Sequence, residues 1–488
     1  MKILKDLKEK LHKNGVDIIN TDYYDIIDVW NSWYNGNVDD FHYYNVKIAD
    51  GSTAEFERKT MSMAKKGAED MMKLLWSNKC DIKLGNDEKT KKLWEVLDSK
   101  QNNFTIMFPQ MIELAMALGT TAMTEYKDAM GRTRIEYINN AKNIIPYAYD
   151  NFNITGFIVF NQWQENEKRS TFYYTHLTYH EFKLEKDEKE EYKQVYRKYN
   201  EVYKSKNPDE LGKEVEFSEI FPDVEELVEE VTDTPHFQII KPPLANNVDI
   251  NTPMGLSIFG NSIDKLKAID NKYDSFDMEF VDGKRRILVD RTALKGTPQV
   301  DENGNISQQL YFDRNDRTYV AMNGMKDQPV KDISFDLRYQ EHIDSINAEL
   351  NWYSASLGFG ESFYKFDGNG QATATEILSQ DDDAFRTKQT FEVVIKDVII
   401  DLVKSVCYLE DIELSENEIQ VEFDYSRFEN QEKTQARLER EVSQGITSKV
   451  EYRMKVYAET EEIAKQKIEE IKKSEPSVKD LLGTNNEE

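Results

Sequence analysis

Apolar residues follow a helical period in three segments of the first third of the chain, residues 23–34, 54–77 and about 103–118. Each segment places its apolar side chains on one face, so each predicts an amphipathic helix. Gly119 follows the third segment, and a glycine in that place commonly ends a helix. From residue 120 apolar and polar residues alternate, and this period of two predicts antiparallel strands.

The alternating region predicts a meander of strands. The predicted strands are residues 122–127, 132–138, 143–149, 154–163 and 171–179, with further strands through 181–203. Residues 128–131 and 165–170 are predicted turns because both are polar and lie between strands. Residues 221–234 carry six carboxylates and predict an exposed loop or short helix rather than a metal site, since nothing there fixes ligand geometry.

Two segments of the second half carry apolar residues at spacings of three and four. Residues 259–280 and 335–357 therefore predict two helices, each with a narrow apolar seam. At about 1.5 Å per residue, each helix is on the order of 33 Å long. The predicted seam residues are Phe259, Ile263, Leu266, Tyr273, Phe276, Ile343, Ile346, Leu350 and Tyr353.

The segment between the two seam helices, residues 281–333, has strand-like runs separated by turns. It predicts a small β insert at the far end of a helical hairpin. Its most basic spot is the triplet Lys284, Arg285 and Arg286. The pattern alone favours a solvated turn over a phosphate contact for this triplet.

A glycine-rich loop with four aromatic residues follows the second seam helix, over residues 357–370. Its glycines, aromatic residues and charged residues are Gly358, Phe359, Gly360, Glu361, Phe363, Tyr364, Lys365, Phe366, Gly368 and Gly370. Neither glycine nor proline occurs from 371 to 444, so residues 374–409 predict one long helix. Residues 419–425 predict a strand, and residues 430–443, 448–458 and 461–473 predict charged helices, with Ser448 and Glu451 as a capping box.

The composition is that of a folded acidic protein. The 488 residues carry a formal charge of −28, but a hydrophobic content of 39% is too high for a disordered acidic chain. Cys80 and Cys407 are far apart in sequence, which predicts two buried, reduced thiols rather than a disulfide framework or a zinc site. The acidic balance argues against a protein that coats nucleic acid or an anionic membrane.

The sequence shows no targeting or spanning segment. No apolar run approaches the roughly 18 residues that a membrane helix needs, and residues 1–10 lack the apolar core of a signal peptide. We therefore expect a protein that is made in a cytoplasm and has no membrane partner.

No catalytic or metal-binding motif is evident. Asp301, Asn303 and Asn305 begin like a calcium loop, but Ile306 occupies the position of the turn glycine. The three aspartates at 381–383 are spread around a helix, so they do not converge on one metal. We therefore predict that the protein is not an enzyme and that it has no catalytic residue, no metal and no cofactor.

The order of these elements carries a resemblance to a known family. The aromatic loop leads into Gly-Gln-Ala-Thr-Ala-Thr-Glu at 370–376 and Asp-Ala-Phe-Arg-Thr-Lys-Gln at 383–389. Near the N-terminus, Ile27, Trp30 and Trp33 precede the run Arg-Lys-Thr-Met-Ser-Met-Ala at 58–64. Over residues 20 to about 475 the chain resembles the portal (head-to-tail connector) proteins of tailed bacteriophages, in particular those of long-tailed phages of Gram-positive hosts.

The resemblance implies an α+β portal fold with named parts. These would be an α/β wing at 1–255, stem helix 1 at 256–280, a small β-rich clip at 281–334, stem helix 2 at 335–356, a tunnel loop at 357–370, a long helix and wing strand at 371–429, and a helical crown and tail at 430–488.

The resemblance also implies a function. The chain would be one subunit of a homo-oligomeric, dodecameric ring at one capsid vertex of the virion, assembled in the host cytoplasm. Double-stranded DNA would pass through its channel during packaging and ejection. The other implied partners are the terminase large subunit, a head–tail adaptor, the major capsid protein and the scaffold.

The resemblance suggests roles for particular residues. Loop residues 359–366 would lie at or near the narrowest part of the channel, where Lys365 would touch phosphate transiently and the aromatic side chains would pack the loop against the long helix. The alternative is an ordinary surface loop with buried aromatics. The basic triplet would lie in the docking surface of the clip or pair within the clip itself. Asp264, Lys265, Lys267 and Asp270 would face the channel or a neighbour.

Two other classes of protein remain open from the sequence. One is an acidic helical protein that binds a partner through residues 430–473 and has no DNA channel. The other is a nuclease that uses a carboxylate such as Asp381 or Asp383.

Overall fold

The computed structural model describes residues 2–13, 18, 20–47, 51–167, 170–186, 191–283, 286–290, 296–300, 306–310, 319–322, 330–333, 336–366, 374–415, 418–425, 438–457 and 461–474. These residues fall into two units, 1–423 and 424–488. Helices and strands are both abundant, which confirms the α+β class.

The helices of the first unit have the following bounds. They are α1 (Lys2–Lys13), α2 (Tyr23–Tyr34), α3 (Asp39–His42), α4 (Met63–Leu75), α5 (Asp87–Leu97), α6 (Phe104–Leu118), α7 (Phe217–Ile220), α8 (Ile263–Asp282), α9 (Tyr339–Ser356) and α10 (Ala374–Leu409).

The strands are mostly antiparallel with their neighbours. They are β1 (Tyr43–Lys47), β2 (Thr53–Glu57), β3 (Asp81–Lys83), β4 (Thr121–Lys127), β5 (Thr133–Ile138), β6 (Ile144–Asp150), β7 (Asn153–Glu167), β8 (Ser170–Lys186), β9 (Tyr192–Ser205), β10 (Lys213–Val215), β11 (Leu227–Val231), β12 (Phe237–Ile240), β13 (Arg286–Asp290), β14 (Gly296–Val300), β15 (Ile306–Leu310), β16 (Tyr319–Met322), β17 (Val330–Ile333) and β18 (Gln420–Glu422).

The largest sheet contains the predicted meander. In the described part of the chain its strand order is β10-β9-β8-β7-β6, and β11 pairs with a second stretch of β9. A smaller sheet, β12-β4-β5, lies beside α10. The strands β7 and β8 are longer than predicted. Their pairing continues to Glu167↔Ser170, so residues 165–167 and 170 of the predicted turn are strand.

Several predicted elements have the predicted bounds or nearly so. The helices α2 and α10 begin and end at the predicted residues, and α6 begins within one residue of its predicted start. Gly119 ends α6 with φ of +85°. A Cβ there would lie 2.1 Å from the carbonyl oxygen of Gly255, so both the backbone conformation and the close approach require glycine.

The helix predicted over residues 54–77 is wrong in its first part. Residues 53–57 form strand β2, which pairs with β1, and α4 begins only at Met63. Phe56 stands at a helical spacing from the apolar residues of α4, but it also belongs to an alternation in which Ala54 and Phe56 share one strand face with Tyr44.

The acidic segment 221–234 is not simply a loop or a short helix. Its residues 227–231 form β11, which pairs with β9 from Leu227↔Tyr199 to Val231↔Val195. The acidic composition concealed the apolar residues Leu227, Val228 and Val231 of this strand. Within the predicted β insert, Gly296-Thr297-Pro298 begins strand β14.

The two seam helices are shorter than predicted at their N-terminal ends. A 3₁₀ turn, Gly260–Ser262, precedes α8, so Phe259 lies before the helix rather than in it. The second helix begins at Tyr339, and residues 336–338 before it are not helical.

The second unit is helical. Residues 438–443 are helical and are followed by α11 (Lys449–Tyr457) and α12 (Glu461–Ser474). The capping box before α11 is confirmed: Ser448 Oγ accepts from the Glu451 N–H at 3.1 Å, and the Ser448 N–H donates to Glu451 Oε2 at 2.9 Å.

The described residues contain neither a membrane-spanning helix nor a disulfide bond. No helix among them combines the length and apolar character needed to cross a membrane. Both cysteines are free thiols, with Cys407 buried and Cys80 half-buried.

Candidate channel and assembly surfaces

The helices α8 and α9 form an antiparallel hairpin, called the α8–α9 hairpin below. Side chains bridge it along its length: Ser262 meets Ser356 at 2.7 Å, and Lys272 donates to Glu349 at 2.5 Å. At the end that carries the β insert, Arg338 donates to both carboxylate oxygens of Glu279, at 3.3 and 2.8 Å. This hydrogen bonding lowers the pKa of Glu279 to about 2.

The predicted seam residues lie mostly inside the hairpin and its contacts. Phe259, Leu266, Ile346, Leu350 and Tyr353 are buried, while the other four seam residues are half-buried. The half-buried members are Ile263, Tyr273, Phe276 and Ile343.

Tyr353 contacts α4 as well as its own hairpin. Its hydroxyl donates to the carbonyl oxygen of Met63 at 2.8 Å. On the facing helix a Cβ at Gly67 would lie 2.6 Å from this hydroxyl and 2.8 Å from Leu357 Cδ1. The missing side chain of Gly67 therefore lets α4 approach the end of α9 closely.

Residues 38–47 and 51–63, called the anchor segment, hold the middle of α8. Asp270 is 3% exposed and accepts from His42 Nε2 at 3.1 Å and from the Met61 N–H at 2.9 Å. The Val38 N–H donates to His42 Nδ1, which places the ring proton on Nε2. One turn further along α8, Lys59 donates its N–H to Asp274 at 3.1 Å and forms an ion pair with Asp277 at 2.7 Å.

This geometry corrects one expectation. Asp270 was expected to face the channel or a neighbour, but it is buried against the anchor segment of its own chain. Asp264 and Lys267 are exposed, and Lys265 is half-buried beside Asp264 at 3.6 Å. For Asp264, Lys265 and Lys267, a position facing the channel and a position facing a neighbouring subunit both stay predictions.

The outer flank of α9 carries an exposed tryptophan. Trp352 is 65% exposed, and Ala348 and Ala355 lie beside it on the same exposed face. Glu341 and Asp344 continue this face toward the start of the helix. A large aromatic side chain flanked by small residues is typical of a surface on which another element packs. We call this face the α9 flank.

The loop after α9 runs back along the helix. Ser354 Oγ donates to the carbonyl oxygen of Gly360 at 2.6 Å. Further back along α9, Asn351 Oδ1 accepts from the Ser362 N–H at 3.2 Å and Asn347 Oδ1 from the Phe366 N–H at 2.8 Å. One face of α9 therefore fixes the path of the loop.

Gly358 lies where the loop meets the long helix. Its φ is +80°, and Thr387 Oγ1 on α10 donates to its carbonyl oxygen at 2.7 Å. A Cβ on Gly358 would lie 2.5 Å from that same hydroxyl oxygen. Both observations require glycine at this position.

The aromatic side chains of the loop pack inward. Phe359 is fully buried and stacks on Phe363 with ring centroids 4.6 Å apart. Tyr364 is also buried and lies 6.1 Å from Tyr353, and Phe366 contacts Phe276 at 5.4 Å. These ring contacts join the loop to the α8–α9 hairpin, whereas the expectation named the long helix.

The charged residues of the loop are exposed, unlike its aromatic residues. Glu361 and Lys365 are exposed, and they are the predicted loop residues whose side chains face solvent most openly in the described part of the loop. Gly368 and Gly370 lie outside the described residues.

The basic triplet of the β insert is only partly described. Lys284 and Arg285 lie outside the described residues, and Arg286 begins β13, where its backbone pairs with Ile333 of β17. In the described part of the insert, β13 also pairs in parallel with β16, and β14 pairs with β15.

A buried carboxyl joins the β12-β4-β5 sheet to α10. Glu125 is 2% exposed and accepts from Ser405 Oγ at 2.9 Å and from Gln238 Nε2 at 3.1 Å. Burial raises its pKa to about 8, so the group is largely protonated at neutral pH. Ser405 Oγ also lies 2.8 Å from His236 Nδ1, so the three side chains form one buried hydrogen-bonded network.

Sequence reasoning missed these buried polar contacts. The pairing of Asp270 with His42 and of Glu125 with Ser405 joins positions far apart in sequence, and no local pattern signals it. Lys388 is likewise 1% exposed inside α10, where it pairs with Glu392. Its four-residue spacing from Glu392 was visible, but its burial was not.

No metal site appears among the described residues. No group of three or more histidine, cysteine or acidic side chains there could hold an ion. Asp382 and Asp383 of the acidic triplet are both exposed.

The sequence of residues 17–479 matches a known family. That family is described as "Phage portal protein, SPP1 Gp6-like". It is a class of structural, non-enzymatic proteins of phage particles, which confirms the prediction that the chain is not an enzyme. Because the match spans nearly the whole chain, the chain belongs to this portal protein family, and the resemblance found in the sequence is confirmed.

Further comparisons are more distant. No curated protein matches the chain significantly. Among solved structures, a chain of "Neck of empty GTA particle computed with C6 symmetry" aligns with TM-score 0.39 and 10% identity over 80% of this chain and 88% of that chain. A chain of "Neck of native GTA particle computed with C12 symmetry" aligns with TM-score 0.36 and 9% identity over the same shares.

Proposed function

We propose that this portal protein forms a closed, dodecameric ring at one capsid vertex and that double-stranded DNA passes through the ring during packaging and ejection. The family match over residues 17–479 carries this proposal. In this assignment the α8–α9 hairpin is the stem, the β insert is the clip, residues 357–370 are the tunnel loop, and the helices after residue 430 are the crown. Residues 1–255, with residues 371–429, make the wing.

The α9 flank supports a ring contact. In a ring every interface joins two different surfaces of the same chain. The anchor segment covers one side of α8, whereas nothing in the described part of the chain covers Trp352 on α9. We assign the α9 flank to the contact with the neighbouring stem.

The charge of the chain supports passage of DNA. A formal charge of −28 on every subunit disfavours tight binding to the phosphate backbone, and a channel must let the duplex slide. Lys365 is then the loop residue that touches phosphate, and Glu361 on the same loop limits the strength of that contact. The buried aromatics give these two residues a rigid base.

The remaining partners follow from the portal role. The clip would dock the terminase large subunit during packaging and a head–tail adaptor afterwards, and Lys284, Arg285 and Arg286 belong to that surface in this assignment. The wing and crown would meet the major capsid protein and the scaffold.

Native mass measurement combined with negative-stain imaging tests the ring. Twelve chains of 57.1 kDa give about 685 kDa, and the particle should have a central hole wide enough for a duplex. A monodisperse monomer or dimer at high concentration would contradict the proposal. The acidic partner-binding alternative would then explain the charged C-terminal helices better.

A further inference from the structure

The outer edge of β11 is unpaired in the described part of the chain. The strand lies at the margin of the largest sheet, where it pairs with β9 on one side and with no described strand on the other. An unpaired strand edge presents a row of free N–H and C=O groups. Native edges are usually protected by lysine, proline or a bulge, and β11 itself, residues 227–231, contains neither lysine nor proline.

The register identifies the free backbone groups. The Asn200 N–H donates to the Glu226 carbonyl at 2.9 Å, and the Thr232 N–H donates to the Gln194 carbonyl at 3.2 Å. In an antiparallel pair the direction of the backbone groups alternates, so positions 226, 228, 230 and 232 point toward β9. The N–H and C=O groups of Leu227, Glu229 and Val231 therefore point away from the sheet.

The side chains around this edge are apolar and acidic. Leu227 is 53% exposed and Val231 is 62% exposed, so two large apolar side chains flank the free backbone groups. Four exposed carboxylates of this segment have no ion pair among the described residues. They are Asp223, Glu225, Glu226 and Asp233.

A pocket opens beside the same strand. It has a volume of about 400 Å³ and is lined by Leu227 and by the rings of Tyr147, Tyr179 and Tyr199. Leu11, Glu181, Glu201 and Arg197 also line it. Glu181 and Glu201 are already paired with Arg197 and Lys10, so the tyrosine faces are what the pocket offers to a cationic side chain.

We propose that β11 accepts an extended, basic segment of a partner protein, which adds to the sheet as a further strand. The free groups of Leu227, Glu229 and Val231 would supply the backbone hydrogen bonds, and the exposed carboxylates would select lysine or arginine on the partner. A cationic side chain of the partner near Leu227 would enter the tyrosine-lined pocket. A second copy of this acidic chain is a poor match for this edge. The inference does not depend on the ring.

The test uses the full chain and a fluorescent eight-residue peptide in which Lys and Val alternate. Anisotropy should show saturable binding of one peptide per chain. Val231→Pro removes one outward N–H but no bond to β9, and it should weaken binding at least tenfold. Val231→Ala, which keeps the N–H and loses the side chain, should stay within about threefold of the wild type.

A second pair of peptides tests the same point without altering the protein. Methylation of alternate backbone nitrogens should weaken binding at least tenfold, and a block peptide of four Lys followed by four Val should bind as weakly. Equal binding of the alternating and block peptides, or equal binding to wild type and Val231→Pro, would overturn the proposal in favour of simple charge attraction. Binding to dissociated chains but not to the assembled protein would overturn it in favour of a contact between subunits.

Discussion

Two groups of side chains in this protein differ in how completely the chain itself satisfies them. Asp270 and Glu125 are buried and hydrogen-bonded to residues from distant parts of the chain. Trp352, Glu361 and Lys365 are exposed on the α9 flank and the adjoining loop. The first group therefore stabilises one chain, whereas we assign the second group to contacts that exist only in the assembly.

The difference separates residues that stabilise the chain from residues that serve assembly. Substitutions that break the buried hydrogen bonds of the first group should lower the stability of the chain whether or not it assembles. Substitutions in the exposed group should leave the chain stable and alter the ring or its contact with DNA. The following changes test that separation, from the largest expected effect to the smallest.

Glu125 should make stability depend on pH. Its pKa is about 8 in the folded chain and about 4.5 when unfolded, so the folded chain keeps a proton that the unfolded chain loses. The free energy of unfolding should therefore fall as pH rises from about 4.5 to 8, by on the order of a few kcal/mol. Glu125→Gln should remove this component, as measured by urea midpoints at pH 5.5, 7 and 9. Parallel curves for the two proteins would contradict the assignment.

Asp270→Ala should lower the free energy of unfolding by about 3 kcal/mol, because it leaves His42 and the Met61 N–H without their buried acceptor. Urea unfolding of the unassembled chain measures this change. Asp264→Ala is the matched control on the same helix and should stay within about 0.5 kcal/mol, since that side chain is exposed. Similar losses for both variants would mean that the anchor segment does not hold α8.

Gly67→Ala should cost about 1–3 kcal/mol, because the new Cβ would lie 2.6 Å from the Tyr353 hydroxyl oxygen. Adding Tyr353→Phe removes that oxygen, and the double variant should recover part of the loss despite the nearby Leu357. Thermal unfolding of the single and double variants gives the comparison. No recovery would show that the hydroxyl is not the obstacle.

Trp352→Ala should change the stability of the chain by less than about 0.5 kcal/mol, because the side chain is already 65% exposed. It should nevertheless shift the population from rings to smaller species, as read by native mass. Tyr192→Ala is the control, since that aromatic is 63% exposed but lies on β9. Intact rings from Trp352→Ala would remove the α9 flank from the subunit contact.

Lys365→Gln should have the smallest effect. The side chain is exposed, so neither stability nor ring mass should change. Loss of one transient phosphate contact should alter the rate of DNA packaging by about twofold or less and weaken its salt dependence. Glu361→Gln should act in the opposite direction. Equal shifts in the same direction for both variants would argue against a charge contact with DNA.

Much of the fold follows from local pattern. The bounds of α2 and α10 were predictable because each is a long periodic run with clear limits: Gly36 and Asn37 follow α2, and no glycine or proline interrupts α10. The helix α1 was not predicted, although Ile3, Leu4, Leu7 and Leu11 follow a helical period. The short strands β1 and β3 were not predicted because brief segments give weak periodicity. Strand β2 was assigned to a helix because Phe56 fits both periods.

Less of the site follows from the sequence. The glycines and aromatic residues of the loop made it a candidate site in the sequence. The inward packing of the aromatics depends on the side chains of Asn347, Asn351 and Ser354 of α9, which form hydrogen bonds with the backbone of the loop. The buried position of Asp270 depends on His42, which is 228 residues away. Contacts of this kind arise from the fold as a whole, so a single sequence does not reveal them.

The most direct test of the central claim is a cryo-electron microscopy map of the assembled protein. We predict a ring in which Trp352 contacts the neighbouring stem and the charged side chains Glu361 and Lys365 line the channel. A ring that holds this loop on its outer surface and leaves Trp352 in solvent would contradict the account.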